Sequence, residues 1–334
     1  MRTAEVVKLS PDEAHALGCR SLRGIGLPPD EAALITDHLI DNMLCGYDFA
    51  GLPRIIAMAE HPYFAQPRTA IRVVHETPLS ASIDGGNHPG YAPVLQGAQM
   101  ALDKARAAGM SIVGITNCWF SGRNAFYLER IARGGMIAIH TASGYGNVVP
   151  PGARTPVLGT NPIGFALPAQ PDPLLFDMAT STTTWGEVLL QAMLGQDFPP
   201  GVGVDANGEA ATSPTAIAGG GLLPFGGHKG FGLSLIVQGL GVLAGARAAR
   251  GDVIDSGFVF IAIDPALLMP RETFAAQIAE MLAKIKALPR QPGVDDIRIP
   301  SQRAFAERVR RREAGVTVAR AVHERLLMLA GGRQ

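Results

Sequence analysis

The residues most suited to chemistry lie in a glycine-rich segment at 223–232, LPFGGHKGFG. Glycines on both sides of His228 and Lys229 let the backbone approach an anion closely. A long apolar stretch follows the pair, and a helix beginning there brings free amide groups, the helix dipole and the Lys229 ammonium together. This arrangement suits a pyrophosphate. A surface turn with a chance lysine is the alternative.

Two further segments carry polar groups that suit a nucleotide. Asp177 precedes two hydroxyl residues in FDMATS at 176–181, where a carboxylate could grip a ribose or simply cap a helix. Thr160 and Asn161 lie in the turn LGTNP at 158–162 and offer hydrogen-bond donors, with a purely structural role as the alternative.

Several common motifs are absent from the sequence. No Gly-x-Gly-x-x-Gly joins a strand to a helix, and there is no P-loop, no His-x-x-x-His and no nucleophile elbow. The eight histidines are scattered, so no metal site is expected. A dinucleotide, if bound, is therefore not held by a Rossmann fingerprint.

Composition and charge narrow the functional classes. The formal net charge of +0 and the isoelectric point of about 7.1 give no electrostatic reason to expect nucleic acid or an anionic membrane as partner. Cys19, Cys45 and Cys118 fit no disulfide framework or metal spacing, which favours a reducing cytoplasm. The amino terminus lacks the apolar core of a signal peptide. The uncharged stretch 230–246 is predicted to be part of a buried helix and not a membrane span.

Hydrophobic periodicity and capping signals predict alternating helices and strands. Ser10 and Glu13 have the spacing of a capping box. The spacing of the elements is not that of a doubly wound sheet, and one compact α/β body or two lobes with a cleft both fit. We predict helices over 29–44, 91–108, 123–133, 186–194, 228–246, 272–288 and 302–329, and strands over 111–116, 136–141 and 258–263.

Three segments occurring in order, at 148–168, 176–181 and 222–235, resemble the malate/L-lactate dehydrogenase family with the non-Rossmann fold. They are VVPPGARTPVLGTNPIGFALP, FDMATS and LLPFGGHKGFGLSL, and the Δ1-piperideine-2-carboxylate/Δ1-pyrroline-2-carboxylate reductases look nearest among the members. The resemblance implies an α/β homodimer with a discontinuous catalytic domain and a central cofactor-binding domain. The expected boundaries are 1–115 with 285–334 for the catalytic and dimerisation domain, and 116–284 for the NAD(P)H-binding domain.

The resemblance also implies which residues line the nicotinamide cofactor site. A family loop that wraps the cofactor corresponds to the segment from Phe120 to Asn124, and Arg303 stands near a family segment that brings basic residues to the nucleotide. Likeness to the imine reductases favours NADPH, with NADH as the alternative. The residues expected at the cofactor are Phe120, Ser121, Gly122, Arg123, Asn124, Thr160, Asp177, Met178, Ala179, His228, Lys229 and Arg303.

The expected catalytic residues depart from the family pattern. After the second helix the family has leucine-arginine-glycine-x-aspartate-serine-histidine-glycine-x-x-arginine, whereas this chain has LCGYDFAGLPR at 44–54. By this comparison Phe49 and Ala50 replace a serine and the histidine that donates a proton, and Phe120 replaces a second histidine. Glu187 stands in place of the family's relay aspartate, and Arg54 keeps the arginine that contacts a substrate carboxylate.

These replacements bear on the kind of substrate. Ketone reduction builds negative charge on oxygen, and a positioned acid then contributes about 10²- to 10⁴-fold to the rate. Hydride addition to an iminium ion neutralises a cation, so that step needs no proton. We therefore expect a reductase of a carboxylate-bearing, cyclic imine. Arg54 would bind the carboxylate, Phe49 and Phe120 would contact the cationic ring, and Glu187 would balance its charge or relay a proton through water.

Two other functions stay open on the sequence. The first is a 2-oxo acid or 2-hydroxy acid dehydrogenase whose proton comes from Tyr47, Asp48, Ser121 or Cys45. Tyr47 is the best of these because a phenol can act as a general acid, although a half-buried packing tyrosine at a helix end is the more common case. The second is a cofactor-binding relative without turnover.

Overall fold

The structure is a computed structural model that describes residues 5–247 and 256–332. Its strands form a central seven-stranded sheet in the order β2-β3-β4-β11-β5-β6-β7, a three-stranded sheet β10-β8-β9 and a two-stranded sheet β1-β12. The strands are β1 (Val6–Leu9), β2 (Arg72–Glu76), β3 (Ser80–Pro89), β4 (Met110–Trp119), β5 (Ile137–Ser143), β6 (Ile163–Leu167), β7 (Leu174–Met178), β8 (Gly203–Val204), β9 (Ala210–Ala211), β10 (Gly221–Leu222), β11 (Gly257–Ile263) and β12 (Val316–Ala319).

Helices cover both faces of the central sheet and build a separate helical layer beside it. Short 3-10 turns at Asp48–Ala50 and Pro62–Ala65 flank the third helix. The helices are α1 (Pro11–Gly24), α2 (Pro29–Leu44), α3 (Pro53–Ala59), α4 (Tyr91–Ala108), α5 (Asn124–Arg133), α6 (Trp185–Leu194), α7 (Pro214–Gly219), α8 (His228–Leu243), α9 (Arg271–Lys286), α10 (Gln302–Ala314) and α11 (Arg320–Ala330).

The central sheet has a different packing partner on each face. Helices α4 and α5 pack on one face, where Ile115 and Phe260 are fully buried. On the other face α8 lies so close that a Cβ atom on Gly241 would meet the side chain of Ser143 on β5. Only a glycine allows the last turn of α8 to approach β5 this closely.

The helical layer forms a second core from both ends of the chain. Helices α1, α2, α3 and α11 bury Leu39, Ile55 and Leu326 together, and β1 pairs antiparallel with β12. A helix was predicted over 302–329, and that prediction is wrong. Gly315 breaks it with a φ of +84° between α10 and α11, and the β-branched residues after it pair with β1.

Other sequence predictions are largely confirmed, with two differences. Ser10 and Glu13 form the predicted capping box, and the other predicted helices and strands are present within a few residues at their ends. The helix predicted from 228 as buried is α8, but one of its faces is exposed in the single chain, including Ile236 at 63% and Leu243 at 65%. The hairpin β2–β3 was not predicted.

The predicted domain boundary at 115/116 falls inside β4, and the central sheet joins strands from both sides of it. The two-domain division stays a prediction. Among the described residues no helix is both long and apolar enough to span a membrane.

Candidate active site

A cavity of about 1790 Å³ lies where the helical layer meets the edge of the central sheet. Its walls come from distant parts of the chain, which include the region of α3, the loops after β4 and β5, the segment before β6, strand β7, the start of α6 and the arm before α10. Fourteen of the predicted site residues line it. They are Tyr47, Phe49, Ala50, Arg54, Phe120, Ser121, Gly122, Arg123, Asn124, Thr160, Asp177, Met178, Ala179 and Arg303.

Phe49 and Ala50, which the family resemblance aligns with a proton-donating pair, lie at an apolar corner of this cavity. Phe49 and Ala50 lie in the 3-10 turn after α2, which the Asn42 side chain holds by donating from Nδ2 to the Ala50 carbonyl at 2.9 Å. The guanidinium carbon of Arg54 lies 4.0 Å from the centre of the Phe120 ring. A cation–π contact of this kind holds the charge at the cavity wall.

Gly186 provides the space that Arg54 occupies. A Cβ atom at this position would lie 3.2 Å from Nη1 of Arg54 and 3.3 Å from Cδ2 of Phe49. Any larger residue at the start of α6 would therefore press on both side chains. From the sequence, this segment was considered only for its acid, Glu187, so the role of Gly186 was not predicted.

Glu187 and Asp48 are predicted site residues that do not line the cavity. The Glu187 carboxylate accepts a hydrogen bond from Nε2 of Gln191 at 2.7 Å, along helix α6. The Asp48 carboxylate pairs with Arg311 of α10 at 2.6 Å. Both carboxylates thus have partners outside the cavity.

His61 lines the cavity and was not predicted, because a lone histidine after α3 matches no motif. Its ring stacks on the Trp119 indole with centroids 4.5 Å apart and an angle of 13° between planes. It also contacts the Phe120 ring edge-on at 4.8 Å. Burial, and then the nearby Arg54 charge, lower the pKa of His61 to about 4, so the ring is neutral at pH 7.

The loop after β4 is held by buried polar groups of α2. The Arg123 backbone N–H donates to Nε2 of His38 at 3.0 Å, and burial lowers the pKa of His38 well below its usual range. The Arg123 guanidinium donates to Asn42 at 2.9 Å and to Asp41 at 2.7 Å. The charged end of Arg123 therefore supports the loop, although the residue itself borders the cavity.

Asp177 acts as a helix cap. Its carboxylate accepts the backbone N–H of Ala125, in the first turn of α5, at 3.0 Å. Burial raises the pKa of Asp177, and the Ala125 hydrogen bond acts in the opposite direction. The sequence had left capping and ribose binding open, and the structure supplies a capping contact for this side chain. Asp177 also borders the cavity.

The three segments quoted for the family resemblance lie side by side. Val148 bridges to Leu222, and Ser181 bridges to Pro224. A Cβ atom on Gly230 would lie 2.4 Å from the Phe225 carbonyl oxygen, so the glycine-rich turn needs this residue. His228 and Lys229 are exposed at the start of α8 and do not line the cavity.

The arm before α10 contributes positive side chains to one end of the cavity. Arg298 and Arg303 border it together with Lys286 from α9. Lys286 is engaged by Asp296 at 2.8 Å and by Gln302 at 3.0 Å. Within the described chain neither Arg298 nor Arg303 forms an ion pair, so both can meet an anion.

Comparison with known proteins places the chain in one family. An L-sulfolactate dehydrogenase of Methanothermobacter thermautotrophicus is 29% identical over 335 residues, 97% of this chain and 96% of that protein. A Delta(1)-pyrroline-2-carboxylate/Delta(1)-piperideine-2-carboxylate reductase of Pseudomonas putida is 38% identical over 248 residues, 69% of each chain.

A solved structure and the family model agree with these relatives. A dehydrogenase from Sinorhizobium meliloti superposes with a TM-score of 0.88 at 28% identity, over 98% of this chain and 99% of that one. The malate/L-lactate dehydrogenase family model matches residues 9–327. The chain therefore belongs to the malate/L-lactate dehydrogenase family, whose members are NAD(P)-dependent dehydrogenases and reductases.

Proposed function

We propose that the protein reduces a cyclic imine that bears a carboxylate, with NADPH as the hydride donor. The observation that carries the proposal is the apolar corner of the cavity, where Arg54 lies against Phe120 and where Phe49 and Ala50 also line the wall. By the family resemblance, Phe49 and Ala50 stand in place of a serine and a proton-donating histidine. This corner offers one fixed positive charge and flat apolar surfaces. It suits an anionic, planar substrate.

The chemistry of an iminium ion fits these surroundings. Hydride adds to the imine carbon, the C=N π electrons move to nitrogen, and the cation becomes a neutral amine. No acid is needed at the moment of hydride transfer. In contrast, a ketone would become an alkoxide beside Phe49, Ala50 and Phe120, none of which can donate a proton.

The charges in the corner also favour such a substrate. Arg54 would form an ion pair with the substrate carboxylate. The rings of Phe49 and Phe120 would then contact the cationic ring of the substrate. His61 is neutral at pH 7, so it adds no charge that would repel the iminium ion. Glu187 was expected to balance that charge, but it bonds to Gln191 and the proposal does not depend on it.

The cavity fits a nicotinamide dinucleotide in size and in donor chemistry. A Cβ atom on Gly159 would lie 2.6 Å from the carbonyl carbon of Gly144, so glycine keeps two backbone segments together at the cavity wall. Arg298 and Arg303 would bind the phosphate groups of the dinucleotide. The likeness to the imine reductases favours NADPH over NADH. When bound, the cofactor supplies the hydride. His228 and Lys229 would contribute from the exposed start of α8, as the family resemblance implies.

One observation supports a second function, reduction of a 2-oxo acid. Tyr47 lines the cavity, and its ring centre lies 6.3 Å from that of Phe49. Its phenol could donate a proton from a position near the replaced histidine. The guanidinium carbon of Arg123 lies 5.3 Å from the same ring, which is equally consistent with a packing role for Tyr47.

A substrate comparison separates these functions. The purified protein is assayed for NADPH oxidation with Δ1-piperideine-2-carboxylate, Δ1-pyrroline-2-carboxylate, pyruvate and oxaloacetate, and NADPH binding is followed by its fluorescence. We expect turnover with the cyclic imines and at most weak turnover with the oxo acids. Turnover with oxo acids alone would overturn the proposal. NADPH binding without turnover of any compound would instead favour a cofactor-binding relative.

We further propose that the protein is a homodimer in the cytoplasm. The exposed face of α8 carries Leu235, Ile236 and Leu243 and has no charged residue after Lys229, so a second copy of this chain is a fitting partner. All three cysteines are free thiols, which suits a reducing compartment.

A further inference from the structure

His61 is held by its surroundings in one orientation. It caps the 3-10 turn Pro62–Ala65, and its Nδ1 accepts the backbone N–H of Tyr63 at 3.3 Å. An acceptor nitrogen carries no proton, so the neutral ring has its proton on Nε2. Stacking on Trp119 and the edge contact with Phe120 fix the plane of the ring. The ring is therefore a rigid, neutral hydrogen-bond donor.

The same Phe120 ring connects His61 with Arg54. The guanidinium carbon lies 4.0 Å from the centre of Phe120, and the His61 ring centre lies 4.8 Å from it. Both side chains line the cavity. The Arg54 charge also acts on the His61 ring, so the two donors lie within electrostatic reach of each other. A carboxylate suits such a pair, because it has two oxygens and accepts from several donors at once.

We propose that His61 binds the substrate carboxylate together with Arg54, donating from Nε2 to one oxygen while the guanidinium binds the other. His61 is then a specificity-determining residue outside the motif segment 44–54 on which the sequence analysis relied. This inference rests on the proposed function insofar as the substrate carries a carboxylate. It does not depend on whether the reacting bond is C=N or C=O.

A proton-transfer role for His61 is less consistent with the structure. Burial and the Arg54 charge keep the ring neutral at pH 7, so the imidazolium that could act as an acid is scarce. The neutral N–H binds a carboxylate without placing a second positive charge beside the iminium ion. The two roles differ in what they predict, because a binding donor changes affinity and an acid changes kcat.

Binding of unreactive ligands tests the inference without turnover. Pyrrole-2-carboxylate is a flat, five-membered ring with a carboxylate, and pyrrole-2-carboxamide is its uncharged counterpart. Trp119 stacks on His61 and Trp185 also lines the cavity, so tryptophan fluorescence reports binding of both probes to the NADPH complex. The chain contains only these two tryptophans.

Two substitutions separate hydrogen bonding from packing. His61→Phe keeps a ring against Trp119 but removes the donor, and His61→Gln keeps an N–H donor near the position of Nε2. We expect His61→Phe to weaken pyrrole-2-carboxylate binding about tenfold to a hundredfold, in line with loss of a hydrogen bond to a charged group. Carboxamide binding should change less than threefold, and His61→Gln should retain most of the carboxylate affinity.

The controls make the outcomes distinct. His75→Phe changes an exposed histidine of β2 and should leave both affinities unchanged. In Arg54→Met, adding His61→Phe should cost less than it does in the wild type, because both side chains bind one carboxylate. Equal losses for both probes, or no loss for either, would overturn the inference. If the wild type binds the carboxylate but reduces no imine, the proposed function fails while the inference stands.

Discussion

At the scale of single residues, the proposed function depends on the side chains at positions 49 and 50. The pair lies on a 3-10 turn that Asn42 fixes by a hydrogen bond to the Ala50 carbonyl, so new side chains there would keep the backbone position. The family resemblance implies a serine and a proton-donating histidine at these positions. Restoring them tests whether their absence limits the substrate to imines.

We predict that the double substitution Phe49→Ser with Ala50→His raises kcat/KM for 2-oxo acids by about 10²- to 10⁴-fold, because a positioned acid would then quench the alkoxide. Activity with cyclic imines should fall, since the new imidazole and the loss of the Phe49 ring remove apolar contact. The measurement is steady-state NADPH oxidation with both substrate classes.

Ala57→His provides the matched control, because Ala57 lines the same cavity from α3 but does not correspond to the family histidine. An equal gain in oxo acid reduction from this control would show that any histidine in the cavity suffices. No gain in the double variant, with the fold intact by circular dichroism, would contradict the explanation based on the lost acid.

Gly186 is a second position, where the addition of a single Cβ atom is expected to affect substrate binding. We predict that Gly186→Ala raises the KM for a carboxylate-bearing substrate about three- to tenfold, because the new Cβ would press on Nη1 of Arg54 at 3.2 Å. Stability should not fall, since alanine favours a helix over glycine by about 1 kcal/mol. Gly219→Ala in α7 is the control, because its Cβ meets open space. An unchanged KM would mean that Arg54 does not bind the substrate where we place it.

The sequence identified the motif residues of this cavity but missed the roles of Gly186 and His61, the second for a physical reason. Phe49, Ala50, Arg54 and Phe120 were found through motif positions, and the structure gathers them at one cavity. His61 has no motif, and its importance arises from stacking on Trp119, which lies 58 positions later in the chain. Contacts between residues so far apart in sequence form only in the folded chain, where the helical layer meets the sheet, so local sequence does not predict them.

At the scale of secondary-structure elements, strand β5 contains a histidine inside the central sheet. His140 is fully buried, stacks on Phe260 of β11 at 3.9 Å and has its Nδ1 2.9 Å from the Val259 carbonyl oxygen, to which it donates. Burial lowers the pKa of His140 to about 4, and the Val259 hydrogen bond opposes this shift. The unfolded chain has an ordinary histidine pKa near about 6.5.

We predict that this histidine makes the fold less stable as the pH falls from about 6.5 towards 4. In that window the unfolded state binds a proton at this site and the folded state does not, so protonation favours unfolding. Between pH 7 and 5 the contribution is about 2 kcal/mol. The free energy of unfolding, measured with urea, should therefore fall by about 2 kcal/mol less in His140→Leu than in the wild type between pH 7 and 5. This difference is expected whatever the stability of the variant at pH 7. Parallel curves for the two proteins would contradict the prediction, and His75→Leu, at an exposed site, should give parallel curves.

The helices were easier to predict than the pairing of β1 with β12, which joins the two ends of the chain. Periodic apolar residues identified α2 and α4 because each helix packs one face on a core. The final helix was predicted too long because the residues after Gly315 favour a helix or a strand depending on a partner. That partner is β1, about 300 positions earlier in the chain, and local sequence cannot specify it.

At the scale of the whole molecule, the fold brings the three segments of the family resemblance together and leaves one apolar face of the single chain uncovered. The segments meet through the bridges Val148–Leu222 and Ser181–Pro224. Helix α8 begins at this junction, and its larger apolar residues Leu235, Ile236 and Leu243 face solvent, whereas Val237 and Gly241 are buried. A second copy covering that face would also lie next to the turn with His228 and Lys229.

We predict that the protein has a mass in solution of twice the 35.1 kDa chain and that Ile236→Glu converts it to a monomer. Ile236 is 63% exposed in the single chain, so a glutamate is tolerated in the monomer, whereas burying its charge in an apolar interface costs several kcal/mol. Size-exclusion chromatography with light scattering measures the change. Leu268→Glu is the control, because Leu268 is 94% exposed and lies after β11, away from α8. A monomeric wild type, or a variant that stays dimeric, would show that α8 is not the interface. Loss of NADPH binding in the monomeric variant would indicate that the turn with His228 and Lys229, at the start of α8, needs the second copy.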